Sequence, residues 1–297
     1  MPNVTANGIQ IEYDTFGDSS SAPILLIIGL GSQMIFWDEN LCKKLAEEGL
    51  YVIRFDNRDS GLSTKFDEAG VPDIMEVFTA RMKGEEITSP YTLDDMADDA
   101  VGLLEALGIE KAHICGVSMG AAIAQTVAIR HPSRVLSLIS IYGSTGNPAL
   151  PMPKPEAFSV FITPPPEERD GFIQHVIDGV KTLAGPGFPF DEEWHRKIAG
   201  QAYDRSFYPQ GVDLQMAAVV AHGNRKPALA SVTAPTLVIH GTDDPIALVE
   251  GGKDTAEAIP GSELLLIEGM GHDLPNGKGA WSQIIEAIVD HTRKVAI

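Results

Sequence analysis

Three short stretches of this 297-residue chain carry side chains fit for acyl-transfer chemistry. Gly116-Val117-Ser118-Met119-Gly120 matches Gly-x-Ser-x-Gly, a pattern that holds a nucleophilic serine on a tight strand-to-helix turn. Gly241-Thr242-Asp243-Asp244-Pro245 offers two adjacent carboxylates, and Gly269-Met270-Gly271-His272-Asp273 offers an imidazole. A serine hydroxyl is a weak nucleophile until a base takes its proton, and the base works best when an acid fixes its tautomer. Serine, carboxylate and histidine follow one another along the chain, with Asp243 or Asp244 as the acid. The pentapeptide alone recurs by chance in many chains, whereas the three motifs in that order do so far less often.

The surrounding sequence has to bring these stretches together. Residues 112–117 read as a buried strand leading into Ser118. Residues 119–129, with four alanines, Ile123, Val127 and Ile129, read as a helix stopped by His131-Pro132. Gly116 and Gly120 free the turn from side-chain collisions. Residues 4–13 carry Asn7-Gly8 between alternating residues, the signature of a hairpin with a type I′ turn. Residues 24–28 and 51–55 are apolar runs typical of strands covered on both faces, with a helix over 39–48 between them. Leu93, Met96, Ala97, Ala100, Val101, Leu104 and Leu107 form one face of a helix, with Asp94, Asp95, Asp98 and Asp99 opposite and at its start. Those carboxylates suit a helix dipole better than a metal ion.

After a strand over 135–142 the regular alternation stops. Residues 143–226 are rich in proline, including Pro164-Pro165-Pro166, and keep only helical periodicity, with helices expected over 172–183 and 192–202. Alternation resumes with strands over 236–240 and 263–267 and helices over 251–259 and 281–293. The expectation is an α/β fold with a mostly parallel central sheet flanked by helices: residues 1–142 and 227–297 form the core and 143–226 a helical cap. Ligands in such sheets bind beyond the strand C-termini, the edge at which all three motif-bearing loops should open.

Composition narrows the partners. With 22 Lys and Arg against 41 Asp and Glu, the formal charge of −19 repels nucleic acid and anionic membrane surfaces. A small-molecule substrate fits better. The N-terminal residues lack a basic patch followed by an apolar stretch, and no 18-residue apolar run occurs, so a cytoplasmic location is expected. Cys42 and Cys115 are too few for a disulfide framework and read as small buried hydrophobes.

Taken with their order, these motifs resemble the α/β-hydrolase superfamily, and the resemblance covers nearly all of the chain outside the insertion. Ile28-Gly29-Leu30-Gly31, with Trp37 soon after, is similar to that family's oxyanion loop. The segment from Asp56 through Asn57, Arg58, Asp59, Ser60 and Gly61 to Leu62-Ser63 is similar to its arginine-containing turn, and Pro235 to Gly241 to its acid strand. The elbow, the Asp-Pro pair and the Gly-Met-Gly-His-x-Leu-Pro ending look most like small carboxylesterases of the aclacinomycin methylesterase type. The resemblance implies Ser118 as nucleophile, His272 as base and Asp244, the carboxylate directly before proline, as acid. It also implies an oxyanion hole from the backbone N–H groups of Leu30 and Met119, with Gly29 and Trp37 near the substrate. One departure is Ile28, which stands where the family commonly has a histidine that braces the oxyanion loop.

The expected activity is carboxylic ester hydrolysis through an acyl-enzyme, with a small-molecule ester as partner and neither cofactor nor metal required. Lactone hydrolysis, perhydrolysis and carbon–carbon bond hydrolysis use the same triad, and a non-catalytic small-molecule receptor is the alternative from another class. Serine at the elbow argues against epoxide hydrolase or dehalogenase chemistry, which uses aspartate there. His240, His113 and Arg58 read as packed or structural, and Asp273 as a solvated or loop-stabilising carboxylate.

Overall fold

The computed structural model describes residues 1–274 and 280–295. Pro275, the last residue of the histidine motif, lies outside them. The chain opens with β1 (Asn3–Ala6) and β2 (Ile9–Phe16), joined by Asn7 and Gly8 at φ 47° and 77°, the two positive values a type I′ turn requires. Then follow β3 (Ala22–Ile27), α1 (Glu39–Glu47), β4 (Leu50–Phe55), α2 (Ile74–Lys83), α3 (Leu93–Ala106), β5 (Ala112–Val117), α4 (Met119–Arg130) and β6 (Val135–Ile141). Helices alone occupy the chain before the next strand: α5 (Pro155–Ile162), α6 (Arg169–Leu183), α7 (Glu192–Arg205), α8 (Gln210–His222) and α9 (Lys226–Leu229). The sheet resumes with β7 (Thr236–Gly241), α10 (Val249–Ala258) and β8 (Glu263–Ile267), and α11 (Ala280–Arg293) closes the chain.

The strands form one sheet of order β1-β2-β4-β3-β5-β6-β7-β8, with β1, β2 and β4 paired antiparallel and every pair from β4 onward parallel. This is the expected mostly parallel α/β fold. Alternation within a strand divides the core. Leu25, Ile27, Ile53, Ile114 and Leu138 face α3 and α4, whereas Ile24, Leu26, Val52, Cys115 and Ile139 face α1 and α11. Both faces are dry, and each fully buried aliphatic side chain contributes roughly 1.5–3 kcal/mol. Cys42 and Cys115 are free and buried, and burial pushes the Cys42 thiol up to about 12. Among the described residues no helix is long and apolar enough to cross a membrane.

Helix α2 was not among the expected elements. It is capped by Asp73, which accepts from the Met75 and Glu76 N–H groups, and it ends at left-handed Gly84, yet it buries only Val77 and so lacks a strong apolar stripe. Phe78 supplies tertiary support by packing edge-on against Phe158 of α5 at 5.1 Å. Helix α8 was not among the expected elements either, because its apolar and polar residues do not fall on separate faces. Its Leu214 and Ala218 join the main core cluster.

The acidic start of α3 is consumed by structure. Thr92 and Asp95 form a capping box, Asp98 meets Arg130 and His131, and Asp99 accepts from Arg58 Nε at 2.6 Å and Nη2 at 2.8 Å. The Arg58 guanidinium lies over the rings of both Phe66 and Tyr91, 4.9 and 4.8 Å from their centroids. Both charged partners are buried, so removing one strands the other in low dielectric. Asp99→Ala is therefore expected to cost about 3–5 kcal/mol in urea unfolding. Asp204→Ala, which breaks the exposed pair with Arg169, should leave the midpoint nearly unchanged.

Candidate active site

Strand β5 delivers Ser118 to the C-terminal edge of the sheet with φ 55° and ψ −120°, a conformation rarely adopted by a residue with a side chain. Local contacts force it. The Ser118 N–H donates to the Ile141 carbonyl at 3.1 Å, while its own carbonyl accepts from Ala121 and Ala122 to start α4. A Cβ on Gly116 would stand 2.0 Å from the Gly120 carbonyl oxygen, and one on Gly120 would stand 2.1 Å from the Ile27 carbonyl oxygen. Only glycine lets strand and helix pass this closely.

Two further loops converge on that hydroxyl. The loop after β7 buries Asp244, whose Oδ1 accepts from the Ile246 and Ala247 N–H groups, both at 2.9 Å, in a turn that begins at Asp244-Pro245. Its Oδ2 lies 2.7 Å from His272 Nδ1, and His272 Nε2 lies 2.8 Å from Ser118 Oγ. The carboxylate favours the tautomer with its proton on Nδ1, which leaves Nε2 to accept from the hydroxyl. Asp243, the rival carboxylate, is exposed and bonded to Thr242.

Burial opposes the charge on Asp244. The facing His272 with its hydrogen bond, and the nearby His240, outweigh it and hold the carboxyl well below the usual carboxylate range. His240, expected as a packed residue, is fully buried. Its Nε2 lies 2.5 Å from the Ala247 carbonyl and 3.5 Å from Asp244 Oδ2, so it is also a neighbour of the acid. Tyr142 follows β6 with φ 36°, and its ring sits 4.6 Å from the His272 ring. Neither contact had a sequence signal.

The loop after β3 completes the site. A Cβ on Gly29 would lie 3.8 Å from Ser118 Oγ, which puts this backbone directly beside the hydroxyl. Among the described residues no acceptor takes the N–H of Leu30 or of Met119. Trp37 is elsewhere: fully buried in the core under α1, with its carbonyl bound by Arg54. The expectation that Trp37 contacts substrate is corrected on that ground, since it lies in the same buried cluster as Leu41 and Cys42.

A cavity of about 700 Å³ opens next to the site. Leu30 and Gly31 wall one side, and Val160, Phe172, Val180 and Leu183 from α5 and α6 wall another. Ser118 and His272 are not among its lining residues. Among the lining residues, Leu30 follows Gly29, and the Leu183 carbonyl accepts from the His272 N–H at 2.8 Å. Among the described residues no group of three or more His, Cys, Asp or Glu side chains is arranged to hold a metal ion.

Of the two expectations for Asp273, solvated or loop-stabilising, the structure departs from the first. Among the described residues its Oδ1 is buried without a hydrogen-bond partner, and burial first, then the Asp244 charge, raise its pKa to about 6 against the pull of His272. A carboxyl that binds its proton more tightly when folded contributes most below its unfolded value near about 4, and that contribution is lost as pH rises through about 6. Asp273→Asn should therefore stabilise the protein by roughly 1–3 kcal/mol at pH 8 and give little or no gain at pH 4. Thermal unfolding at the two pH values checks this.

The alpha/beta hydrolase fold family model matches residues 22–275. Rhodomycin D methylesterase DauP of Streptomyces sp. (strain C5) is 27% identical over 99% of this chain and 98% of that protein. Rhodomycin D methylesterase DnrP of Streptomyces peucetius is 28% identical over the same shares. These full-length likenesses agree with the expected similarity to small methylesterase-type carboxylesterases. Among solved structures, the enol-lactonase from Burkholderia xenovorans LB400 superposes with a TM-score of 0.73 at 21% identity, covering 98% of this chain and all of that one.

Proposed function

This chain belongs to the alpha/beta-hydrolase fold family, and from that premise we propose that it is a carboxylic ester hydrolase working through Ser118, His272 and Asp244. The observation that carries the reading is the unbroken line of contacts from Ser118 Oγ to His272 Nε2 and from His272 Nδ1 to Asp244 Oδ2. A line of this kind moves a proton in one direction and holds the counter-charge at its far end.

In this mechanism Ser118 Oγ attacks the ester carbonyl while His272 Nε2 takes its proton. The imidazolium that forms is stabilised by Asp244, which stays ionised because the contacts around it favour the charged form. The carbonyl oxygen becomes an oxyanion and accepts from the Leu30 and Met119 N–H groups. When the carbon–oxygen bond to the alcohol breaks, His272 returns the proton to the departing alkoxide and leaves an acyl group on Ser118. Water enters, gives a proton to His272 and attacks the acyl carbon. The acid departs as Ser118 recovers its proton.

Residues 143–226 act here as a cap that shapes the acyl site. The two methylesterase relatives and the size of the cavity together support a small alcohol joined to a bulky acyl part. Among the described residues the lining includes Asp59, Glu167 and Asp213 but no lysine or arginine, which disfavours an anionic acyl part.

Two measurements test this. Ser118→Ala should remain folded by circular dichroism and lose at least about 10³-fold in turnover of methyl and p-nitrophenyl esters. Turnover equal to that of the unsubstituted protein would refute the assignment. Across matched methyl esters of bulky acids, adding a free carboxylate to the acyl part should lower kcat/KM about tenfold or more, a difference of ~1.4 kcal/mol. An equal or higher value would refute the proposed charge selection.

A further inference from the structure

The loop that presents Leu30 lacks the histidine that its family resemblance would place at Ile28, so something else must hold it. We infer that Gln215, on helix α8, is the positioning residue that sets the Leu30 N–H as an oxyanion donor. This inference rests on the esterase reading above.

Gln215 is fully buried, and its side-chain amide spans two loops. Its Oε1 accepts from the Gly31 N–H at 2.8 Å, and its Nε2 donates to the Arg58 carbonyl at 2.7 Å. The Gly31 N–H belongs to the peptide plane that follows Leu30, so this bond orients the backbone on the C-terminal side of the donor residue. The Leu30 N–H shares the preceding plane with the Gly29 carbonyl, which accepts from the Ser32 N–H at 3.3 Å. Asn57 holds the Ile28 carbonyl at 3.1 Å, and Ser60 holds the Ser32 carbonyl at 2.6 Å. Of these contacts, Gln215 supplies the one that comes from the helical segment. The Arg58 carbonyl it also binds belongs to the residue whose guanidinium is locked on Asp99, so the brace is anchored to the core.

The approach leaves little room for another arrangement. A Cβ on Gly31, whose φ is +66°, would lie 2.8 Å from Val212 Cγ2, so α8 packs directly on the loop one turn before Gln215. Removing the amide would leave the Gly31 N–H and the Arg58 carbonyl without these partners, and the loop would relax to find others. Relaxation turns the Leu30 N–H away from the oxyanion and leaves the Ser118, His272 and Asp244 contacts in place.

The test compares an ester with its thionoester, in which the carbonyl oxygen is sulfur and accepts hydrogen bonds poorly. An oriented oxyanion hole favours the oxygen substrate, and a disturbed one loses part of that preference. Loss of a whole oxyanion donor costs about 10²–10³ in kcat, so misplacement in Gln215→Leu is expected to lower kcat on the ester about 10–100-fold, with KM changed less than about twofold. The oxygen-to-sulfur ratio of kcat/KM should drop at least about fivefold with it. If Gln215→Leu fails to fold, Gln215→Met carries the same measurement. An unchanged ratio, whether the rate falls equally on both substrates or not at all, would overturn the inference and leave the esterase reading standing. Equal ester turnover by the unsubstituted protein and Ser118→Ala would overturn both.

Discussion

The architecture depends on one close approach, the passage of α4 over the C-terminal end of β5 at Gly116 and Gly120. Both α-carbons lie where any side-chain carbon would overlap a backbone oxygen. The result is a serine whose backbone is held away from its preferred region by a sheet strand on one side and a helix start on the other. Strain of this kind persists only when the surroundings over-determine it, and Ser118 is fixed through its N–H by β6 and through its carbonyl by α4. With the hydroxyl placed, the loops after β7 and β8 need only reach the same sheet edge. They are laced to each other there by the Asp243 N–H on the Met270 carbonyl and the Gly269 N–H on Thr242.

Charge is placed with equal economy. Arg58 and Asp99 are buried together, so the turn after β4 is pinned to α3 without leaving an unpaired ion. Asp244 is buried as well, but its partners are two histidines and two backbone N–H groups. That environment stabilises a carboxylate and supports positive charge on His272 when it appears. Asp273 is the exception, a carboxyl beside the site with one oxygen unpartnered. The cavity beside Leu30 is lined mostly by apolar side chains, with Asp59, Glu167, Asp213 and His175 among them and, among the described residues, no lysine or arginine.

Much of this was legible in the sequence, for physical reasons. Continuous apolar runs such as 24–28 and 51–55 mark strands buried on both faces, and Asn7-Gly8 marks a turn that few other pairs can make. The motif-bearing loops were readable because each follows such a strand, and the structure brings Ser118, His272 and Asp244 within hydrogen-bond distance. What escaped depends on tertiary contact. Helix α2 has caps but little apolar face, and its support comes from Phe158 far along the chain. Trp37 follows the loop after β3 in sequence but turns into the core under α1. Gln215, which bridges Gly31 and Arg58 across more than 150 residues, carries no local signal at all, since a buried glutamine on a helix has no pattern of its own.

The central claim is that Ser118 is the nucleophile and becomes acylated. Peptide mapping by mass spectrometry after brief exposure to a fluorophosphonate ester tests it most directly. The account predicts a single phosphonyl adduct on Ser118, greatly slowed in His272→Ala. An unmodified Ser118 with the adduct on another residue, or labelling of Ser118 at the same rate without His272, would contradict it.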